Sequence, residues 1–359
     1  MRKSQVAEQV IWKRIARADH VLAGVPSERQ LASELGISRD TVRSAVRGLI
    51  EQGVLARHDN GRLHVAPSTS ARQCKSIAFV SSPEVSTDHQ LWSDGVRAAL
   101  EGHAVKLRPV TFVQWEDPVL HEAMNGFDGI FLVPPPDKMP QWLARKVREA
   151  PCRIVVLDHD QSASGIPSVI MFPPESERSL LVHLLELGHK RIDCINTQNE
   201  NPIIMGRIAV WRRFIEEMGI DGQLRSWHLR RPMETAYLGV RDCLEKGYPL
   251  ATALLCTTGP AAIGAMRALH EGGLEIGKDV SVCTTNDEGV GRYQLKTLTT
   301  LNPPPRALFL RTAVEWMLGT GPWTGPLLVQ PDEIPLLVGE STGAAPADLT
   351  VVTARKPLS

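Results

Sequence analysis

The chain has 359 residues, with 40 lysines and arginines against 40 aspartates and glutamates, so its formal net charge at pH 7 is zero. A hydrophobic share of 43% with 22% charged residues is typical of a folded globular protein and excludes a disordered or strongly acidic chain. Taken as a whole, the charge balance argues against a strongly basic nucleic-acid-binding protein, and the length favours two or three domains.

The zero net charge conceals a difference between the two ends of the chain. Residues 1–75 hold 13 basic and 7 acidic side chains, which leaves 27 basic and 33 acidic side chains in residues 76–359. A basic segment is a weak indication of a nucleic-acid-binding module, because its charges also suit an exposed helix face. The chain contains no run of about 18 apolar residues that would predict a membrane span, and its N-terminus lacks the apolar core of a signal peptide. We therefore expect a cytoplasmic protein.

The basic segment predicts three helices followed by a hairpin. Apolar residues recur at helical spacing across 4–18, and Ser27 and Gln30 have the form of a capping box that starts a second helix. A third helix is predicted across 39–52 after the short turn 36–38, which gives a helix-turn-helix. Two β-rich stretches then flank an Asn-Gly pair, the strongest short signal for a hairpin, and this hairpin is interpreted as a wing.

Basic side chains lie in a row along the third predicted helix. Arg39, Arg43 and Arg47 recur every four residues on a face distinct from the apolar one, with Thr41 nearby. A solvated basic face is the plain alternative. The helix follows a tight turn and precedes a wing, however, as a recognition helix does. Its arginines could contact guanine edges in the major groove, and its hydroxyls could contact phosphates. The pattern therefore favours DNA binding.

The segment VPSERQLASELGISRDTVRSAVRGLIEQGVLARHDNGRLHV closely resembles the winged-helix domain of GntR-family bacterial transcription regulators. The resemblance implies that residues 1–66 form a DNA-binding domain, and the polar residues 67–75 read as a linker. It also implies which positions contact operator DNA. These are Arg29, Arg39, Thr41, Arg43, Asn60, Gly61 and Arg62.

From Ser76 onward, short apolar strands alternate with amphipathic helices. The runs 129–133 and 154–157 are apolar throughout, which is typical of parallel strands buried on both faces. About 270 residues exceed what one such sheet needs, so two αβ lobes are expected. The predicted fold class is thus α/β, with an N-terminal winged helix-turn-helix and a two-lobed domain of two parallel αβα sandwiches.

This second region resembles the LacI/GalR effector-binding domain, which is similar to periplasmic binding proteins. The resemblance is carried by a series of short motifs, LELGHKRI at 185–192, Arg207, GAMRA at 264–268, KDVSV at 278–282 and LTTL at 298–301. A GntR-type domain followed by a LacI-type domain is an arrangement similar to that of arabinose-responsive chimaeric regulators. The resemblance places the domain at 76–342. It further implies the division into lobes, with lobe 1 at about 76–170 and 302–320 and lobe 2 at about 171–298 and 325–342. The tail, 343–359, is expected to be disordered.

The same resemblance points to effector-binding residues. Asp158 follows an apolar strand and matches an aspartate that binds sugar hydroxyls, and Arg207 matches an arginine that binds a sugar or purine oxygen. Thr258 and Asn286 stand where the family usually has asparagine and aspartate, so the ligand is not an ordinary sugar or the site is unused. Trp92 could stack on a sugar ring, and a core position is an equal alternative. For Asp158 and Arg207 the alternatives are a capping role and a structural ion pair.

Taken together, the sequence predicts a homodimeric bacterial transcription regulator, a repressor, that binds operator DNA and a sugar-like small molecule. A DNA-binding protein whose αβ domain is only a ligand-independent dimerisation module remains the alternative. We expect no enzyme, no cofactor and no metal, because the chain lacks the phosphate-binding, nucleophile and zinc motifs. The run Asp158-His159-Asp160 has no partner motif for a metal site.

Overall fold

The computed structural model describes residues 3–16, 24–58, 61–66, 75–83, 86–135, 137–199, 201–227, 231–347 and 350–356. Within these ranges the helices are α1 (Lys3–Ala16), α2 (Glu28–Leu35), α3 (Arg39–Glu51), α4 (Thr87–Ala99), α5 (Pro118–Gly126), α6 (Gln141–Glu149), α7 (Glu177–Glu186), α8 (Pro202–Met218), α9 (Pro232–Glu245), α10 (Gly259–Glu271) and α11 (Arg306–Leu318). The strands are β1 (Leu55–Arg57), β2 (Leu63–Val65), β3 (Lys75–Ser81), β4 (Val105–Thr111), β5 (Gly129–Val133), β6 (Arg153–Leu157), β7 (Ser168–Val169), β8 (Ile192–Asn196), β9 (Leu224–Ser226), β10 (Leu250–Ala251), β11 (Ala253–Cys256), β12 (Ser281–Thr284), β13 (Thr299–Leu301), β14 (Leu328–Val329), β15 (Leu336–Leu337) and β16 (Val351–Val352).

The N-terminal elements form the predicted helix-turn-helix and hairpin. The capping box is present, since the Ser27 hydroxyl accepts from the Gln30 amide at 3.3 Å and the Gln30 side chain accepts from the Ser27 amide at 2.9 Å. Gly36 ends α2 in the left-handed region, with φ of 61°. β1 and β2 pair antiparallel as the wing. The apolar faces of the three helices and the wing enclose one small core around Leu31 and Leu49.

Each αβ lobe is built on a six-stranded sheet. The strand order is β4-β3-β5-β6-β7-β14 in lobe 1 and β9-β8-β11-β12-β13-β15 in lobe 2. All neighbours are parallel except β13 and β15, which are antiparallel. The predicted α/β class with two parallel sheets is confirmed.

Both faces of each sheet are buried at its central strands, which explains why β5 and β11 are apolar throughout. In β5, Phe131 packs in one core cluster while Leu132 packs in another on the opposite face. In β11, Leu255 and Leu254 divide between two clusters in the same way. Helices therefore cover both sides of each sheet at its centre.

The structure corrects the expected lobe boundaries at one strand. β14 pairs in parallel with β7, so Leu328 and Val329 belong to the sheet of lobe 1 and not to lobe 2, where 325–342 was expected. β15 does belong to lobe 2 as expected, because Leu336 and Leu337 pair with β13. A two-residue strand is too short for its hydrophobic pattern to indicate a sheet.

The C-terminal tail was expected to be disordered from residue 343, and this expectation is wrong for 343–347 and 350–356. β16 pairs antiparallel with β10, and Val352 is only 5% exposed. The Arg355 guanidinium forms two hydrogen bonds with the Asp279 carboxylate, at 2.6 and 2.7 Å. These contacts lie far apart in sequence, so the polar composition of the tail gave no sign of them. Within the described ranges, no helix is long and apolar enough to cross a membrane.

The tail contacts predict that Arg355→Ala destabilises lobe 2. The Asp279 side chain is only 10% exposed and would lose two charge-assisted hydrogen bonds, whereas Arg355 is 54% exposed and regains hydration. We expect the free energy of unfolding in urea to fall by about 1–2 kcal/mol. Lys356→Ala, which removes the same charge from the next position, is the control and should leave unfolding unchanged. Equal effects of the two substitutions would contradict a role for the Arg355 pair.

Candidate functional site

The third helix presents a polar face away from the winged-helix core. Val42, Val46 and Leu49 of α3 are buried, which leaves Arg39 and Arg43 exposed on the opposite side. The Ser38 hydroxyl caps the helix by accepting from the Thr41 amide at 3.2 Å, and the two hydroxyls lie 2.7 Å apart. Thr41 is therefore half-buried at the first turn of α3, beside the turn that precedes the helix.

One carboxylate connects the elements of this surface. Glu28, at the start of α2, pairs with the Arg43 Nε of α3 at 3.4 Å and with Arg57 of β1. Arg57 in turn donates to the Gly61 carbonyl at the wing at 3.2 Å. Burial acts to raise the pKa of Glu28, but hydrogen bonds and charge from Arg57 and Arg43 outweigh it and hold that pKa below its usual value. Glu28 thus fixes helix, turn and wing relative to one another.

The residues predicted to contact DNA fall on these connected elements. Arg29 follows Glu28 in α2 and is exposed, and Arg62 is exposed beside Gly61, whose φ is 79°. Asn60 lies outside the described residues. The sequence reasoning missed Glu28 and Arg57, because their roles depend on a contact between residues 29 positions apart.

A second polar site is a cavity of about 710 Å³ between the two lobes. It lies at the carboxyl ends of strands from both sheets, which is where open parallel sheets bind ligands. The strand ends contribute Val133 and Pro134 after β5, Asp158 and His159 after β6, Thr197 to Asn199 after β8, Thr258 after β11 and Asn286 after β12. The start of α4 and the first turns of α8 and α9 complete the wall.

Four of the five residues predicted to bind an effector line this cavity, namely Asp158, Arg207, Thr258 and Asn286. Trp92 does not. Its side chain is fully buried in the core of α4, with the Arg306 guanidinium 5.1 Å from its ring centroid. Of the two alternatives for Trp92, the structure places it in the core, one layer behind the cavity wall.

Arg207 is held rigidly in the cavity wall. It is 8% exposed, its Nη1 donates to the Thr257 carbonyl at 2.7 Å, and its Nε lies 3.6 Å from the Glu177 carboxylate. Burial raises the pKa of Glu177 to about 7, against the lowering effects of Arg207 and of a hydrogen bond from Thr285. The Arg207 Nε makes no hydrogen bond within the described chain. The guanidinium is therefore a fixed positive charge in the cavity wall.

Other buried polar atoms around the cavity also lack hydrogen bonds within the described residues. They are the Thr197 hydroxyl and the Thr258 hydroxyl. His159 is 8% exposed, and burial lowers its pKa to about 4, so the ring is neutral near pH 7. Buried polar groups without partners cost free energy unless a ligand or water satisfies them. Their concentration at one cavity indicates a site for a polar ligand.

Carboxylates form one side of the cavity. Asp88, in the first turn of α4, pairs with Arg306 at 2.6 Å and accepts from the Asn286 amide of lobe 2 at 2.9 Å. Burial raises the pKa of Asp158, the charge of Asp88 raises it further, and the Arg207 and Arg306 guanidinium groups oppose the rise. Burial likewise raises the pKa of Glu288 to about 7, and Asp88 adds to the effect.

Asp158 and Glu288 share a second property. They are the two non-glycine residues of the described chain with positive φ, at 62° and 53°. A left-handed backbone costs an ordinary residue free energy and is concentrated at functional sites. Sequence reasoning missed Asp88, His159 and Glu288. His159 had a signal, since it directly follows Asp158 at a strand end.

The run Asp158-His159-Asp160 does not converge on one point. Asp160 is exposed and accepts from the Ser162 amide at 2.8 Å. Among the described residues, no group of three histidine, cysteine, aspartate or glutamate side chains is placed to hold a metal ion.

Two families of known domains match the chain. Residues 8–65 match the family described as bacterial regulatory proteins, gntR family. Residues 181–326 match the family described as periplasmic binding protein-like domain. The first match covers the winged helix, and the second covers most of lobe 2 together with α11.

Three relatives that match the chain are described as transcriptional repressors. The probable HTH-type transcriptional repressor ExuR of Bacillus subtilis is 24% identical over 238 residues, 63% of this chain and 68% of the relative. The HTH-type transcriptional repressor PurR of Aliivibrio salmonicida is 25% identical over 199 residues, which cover 55% of this chain and 58% of the relative. PurR of Vibrio parahaemolyticus is 30% identical over 159 residues, which cover 40% of this chain and 47% of the relative. The chain thus spans between about half and two thirds of the length of these relatives.

Solved structures with the same fold include a dimeric Lac repressor with a C-terminal deletion. Its TM-score is 0.62 at 19% identity, and the match covers 76% of this chain and all of that one. The regulator CcpA from Weissella paramesenteroides, with bound glucose, has a TM-score of 0.63 at 17% identity, with coverage of 75% and 99%. Because these identities are below 20%, the structural similarity supports the fold alone.

The raised pKa of Glu288 predicts a pH-dependent gain in stability from Glu288→Gln. A group whose folded-state pKa lies above its unfolded value stabilises the fold at low pH and loses that contribution as pH rises through about 7. At about pH 8 the substitution removes a half-buried charge and should stabilise by about 1–2 kcal/mol, allowing for partial solvent exposure. At about pH 5 the wild-type carboxyl is protonated in the folded state, so the gain should be much smaller, and it should vanish below the unfolded-state pKa of 4.5.

Thermal unfolding at both pH values measures this difference. Glu101→Gln, at an exposed glutamate just after α4, is the matched control and should show no pH-dependent gain. A Glu288→Gln protein that is less stable than wild type at about pH 8 would show that the ionised carboxylate stabilises the fold.

Proposed function

We propose that this chain is a chimaeric regulator of the GntR/LacI type, a bacterial transcriptional repressor controlled by a small molecule. In this proposal a homodimer, acting in the cytoplasm, binds a pseudopalindromic operator through two winged helices. A polar, sugar-like effector binds in the cavity between the lobes. The observation that carries the proposal is the meeting of four predicted effector residues at one cavity whose buried polar atoms lack partners.

For DNA, the support is the geometry of the winged helix. The polar face of α3 carries Arg39 and Arg43, and Glu28 links that helix to the start of α2 and to the wing. A helix held in this way can enter the major groove while the wing approaches the neighbouring backbone. Arg43 would exchange its contact with Glu28 for a guanine edge or a phosphate on binding.

For the effector, the support is the chemistry of the wall. Polar side chains of the wall such as Asp158, Asn199 and Thr258 suit a ligand with several hydroxyl groups, because hydroxyls both donate and accept. Apolar residues such as Val133, Ile204 and others suit its C–H faces. A dimerisation module that binds no ligand would leave the buried Thr197 and Thr258 hydroxyls without partners, which favours a ligand-binding domain.

Coupling between the two functions would act through the contact between the lobes. Asn286 of lobe 2 donates to Asp88 of lobe 1, and the Glu288 carboxylate accepts from the backbone of Thr87 at the start of α4. A ligand between these residues changes the relative position of the lobes. In a dimer, that movement changes the spacing of the two winged helices and hence operator affinity.

Removing one arginine from α3 tests the DNA-binding surface. Arg43→Ala should weaken binding to an operator duplex, obtained by selection from random sequences, by about 1–3 kcal/mol, because a base or phosphate contact is lost. The side chain is 45% exposed and its ion pairs lie at the surface, so the fold should be preserved. Fluorescence anisotropy over a salt series measures affinity, and loss of a phosphate contact should lower the salt slope by about one.

The matched control is Lys13→Ala, which removes an exposed positive charge from α1. It should leave operator affinity within about 0.5 kcal/mol of wild type. Wild-type affinity of Arg43→Ala would contradict the assignment of α3 as the helix that reads DNA.

Removing one hydroxyl tests the effector site. A thermal-shift screen of pentoses, hexoses, amino sugars, sugar acids and phosphorylated sugars identifies a ligand, since a ligand specific for the folded state raises the melting temperature. Thr258→Val should then raise the ligand concentration needed to release operator by about tenfold, the worth of one hydrogen bond. Because the Thr258 hydroxyl has no partner within the described chain, the fold and ligand-free operator affinity should not change.

Thr353→Val removes an exposed hydroxyl from the tail and serves as the control. An unchanged response in Thr258→Val would place the effector elsewhere. If no compound in the screen stabilised the protein while operator binding remained intact, the ligand-independent alternative would replace the sensor.

A further inference from the structure

One carboxylate of the winged helix is shared by two arginines. Glu28 Oε2 lies 3.4 Å from the Arg43 Nε of α3, and Glu28 Oε1 accepts from the Arg57 Nη2 at the end of β1. Only 10% of the Glu28 side chain is exposed, against 45% for each of the two arginines. The Glu28 charge is therefore largely withdrawn from water and depends on its two guanidinium partners for compensation.

The two arginines hold Glu28 with different strength. The Arg43 contact at 3.4 Å is long for a hydrogen bond, whereas Arg57 is fixed at a second point, because its Nη1 donates to the Gly61 carbonyl at 3.2 Å. Burial acts to raise the pKa of Glu28, and the hydrogen bond and charge of Arg57 lower that pKa more than those of Arg43 do. Arg57 is thus the partner that stays in place, and Arg43 is the partner that can leave.

A contact with DNA requires Arg43 to leave two carboxylates. Its Nη1 also lies 3.2 Å from Asp40, but that side chain is 88% exposed and regains water when the arginine turns away. Glu28 cannot recover its hydration in this way, because it is largely buried. If Glu28 had no other partner, the departure of Arg43 would leave a buried charge without compensation, which is strongly unfavourable.

We propose that Arg57 is a positioning residue for DNA recognition, which keeps the charge of Glu28 compensated while Arg43 turns to the operator. The Arg43 guanidinium exchanges its Glu28 contact for DNA, and the Arg57 guanidinium remains on Glu28 with its second contact at the wing. Glu28 and Arg57 then still connect α2 to the wing in the bound state. The role of Arg57 rests on the proposed use of α3 to read DNA, and it makes the exchange by Arg43 possible.

Two simpler roles of Arg57 lead to a different prediction. The side chain is 45% exposed and could contact a phosphate itself, or it could only hold the wing through Gly61. In either case, loss of Arg57 weakens DNA binding, and a further loss of the Glu28 charge does not repair it. In the proposed role, loss of Arg57 weakens binding because Glu28 then retains Arg43. Removal of the Glu28 charge should therefore restore binding.

The first measurement compares Arg57→Gln with wild type on the operator duplex selected from random sequences. Glutamine keeps a hydrogen-bond donor for the Gly61 carbonyl and removes the charge. We expect the full-length Arg57→Gln protein to bind about tenfold more weakly in fluorescence anisotropy, because Arg43 is then retained by a carboxylate with no other partner. Arg57→Lys, which keeps the charge, should bind within about threefold of wild type.

The second measurement adds Glu28→Gln. The double variant with Arg57→Gln and Glu28→Gln should bind within about threefold of wild type, because no carboxylate in this position then retains Arg43. Glu28→Gln alone should also stay within about threefold of wild type. Restored affinity cannot arise from an unfolded protein, so it excludes loss of the fold as the cause of the weaker binding in Arg57→Gln.

Two controls establish whether the restoration is local. Arg57→Gln combined with Glu51→Gln removes an equal negative charge from the exposed end of α3, and it should remain about tenfold weaker than wild type. Lys13→Gln, which removes an exposed positive charge from α1, should bind within about threefold of wild type. Equal restoration by Glu28→Gln and Glu51→Gln would show a general effect of charge and would overturn the role of Arg57.

The outcomes separate the role of Arg57 from the DNA-binding function. A loss in Arg57→Gln that persists in the double variant with Glu28→Gln would overturn the role, and a salt slope lower by about one would then assign a phosphate contact to Arg57. Wild-type affinity of Arg57→Gln would also overturn it, because Arg43 would then need no second partner on Glu28. Wild-type affinity of Arg43→Ala, in contrast, would remove the proposed function of α3 and the role of Arg57 with it.

Discussion

The two parallel sheets impose the constraint on which the rest of the molecule depends. The central strands are covered on both faces, so Phe131 and Leu132 of β5 point into different cores and leave no room for polar groups along that strand. The polar groups of the cleft come largely from the residues that follow the strands. Because the ends of both sheets face the same cleft, Asp158 and Asn286 meet there although 128 positions separate them in the chain. A ligand in the cleft therefore contacts both lobes at once.

Features that lower stability are concentrated at this cleft. Asp158 and Glu288 hold left-handed backbone conformations, which cost about 1–3 kcal/mol each, and both carboxyl groups are held where ionisation is unfavourable. The buried Arg207–Glu177 pair adds the cost of removing two charges from water. None of these features improves packing. They persist because the cores behind them are large and because a bound ligand would offset them.

The sequence predicted those parts whose signals are local. Ser27, Gln30 and Gly36 are neighbours whose capping interactions depend on the residues themselves, so the helix-turn-helix was confirmed in detail. Apolar runs located the strand ends and hence Asp158 and Thr258. Asp88, Glu288 and the tail strand β16 were missed, because each acquires its role through a partner more than 70 residues away. Trp92 was left between two alternatives, since burial depends on how Arg306 packs over its ring.

The distribution of charge ties the two ends of the molecule together. Residues 1–75 carry an excess of six positive charges and residues 76–359 an excess of six negative ones, so the neutral total describes neither part. Within the winged helix, Glu28 holds Arg43 and Arg57 in place without cancelling the charge of Arg29 or Arg39. The acidic remainder repels a phosphate backbone, which favours approach of DNA to the winged helix. The cleft is lined by the carboxylates of Asp88, Asp158 and Glu288. Under the proposed function, this division of charge would direct the duplex to the winged helix and keep its phosphates away from the lobes.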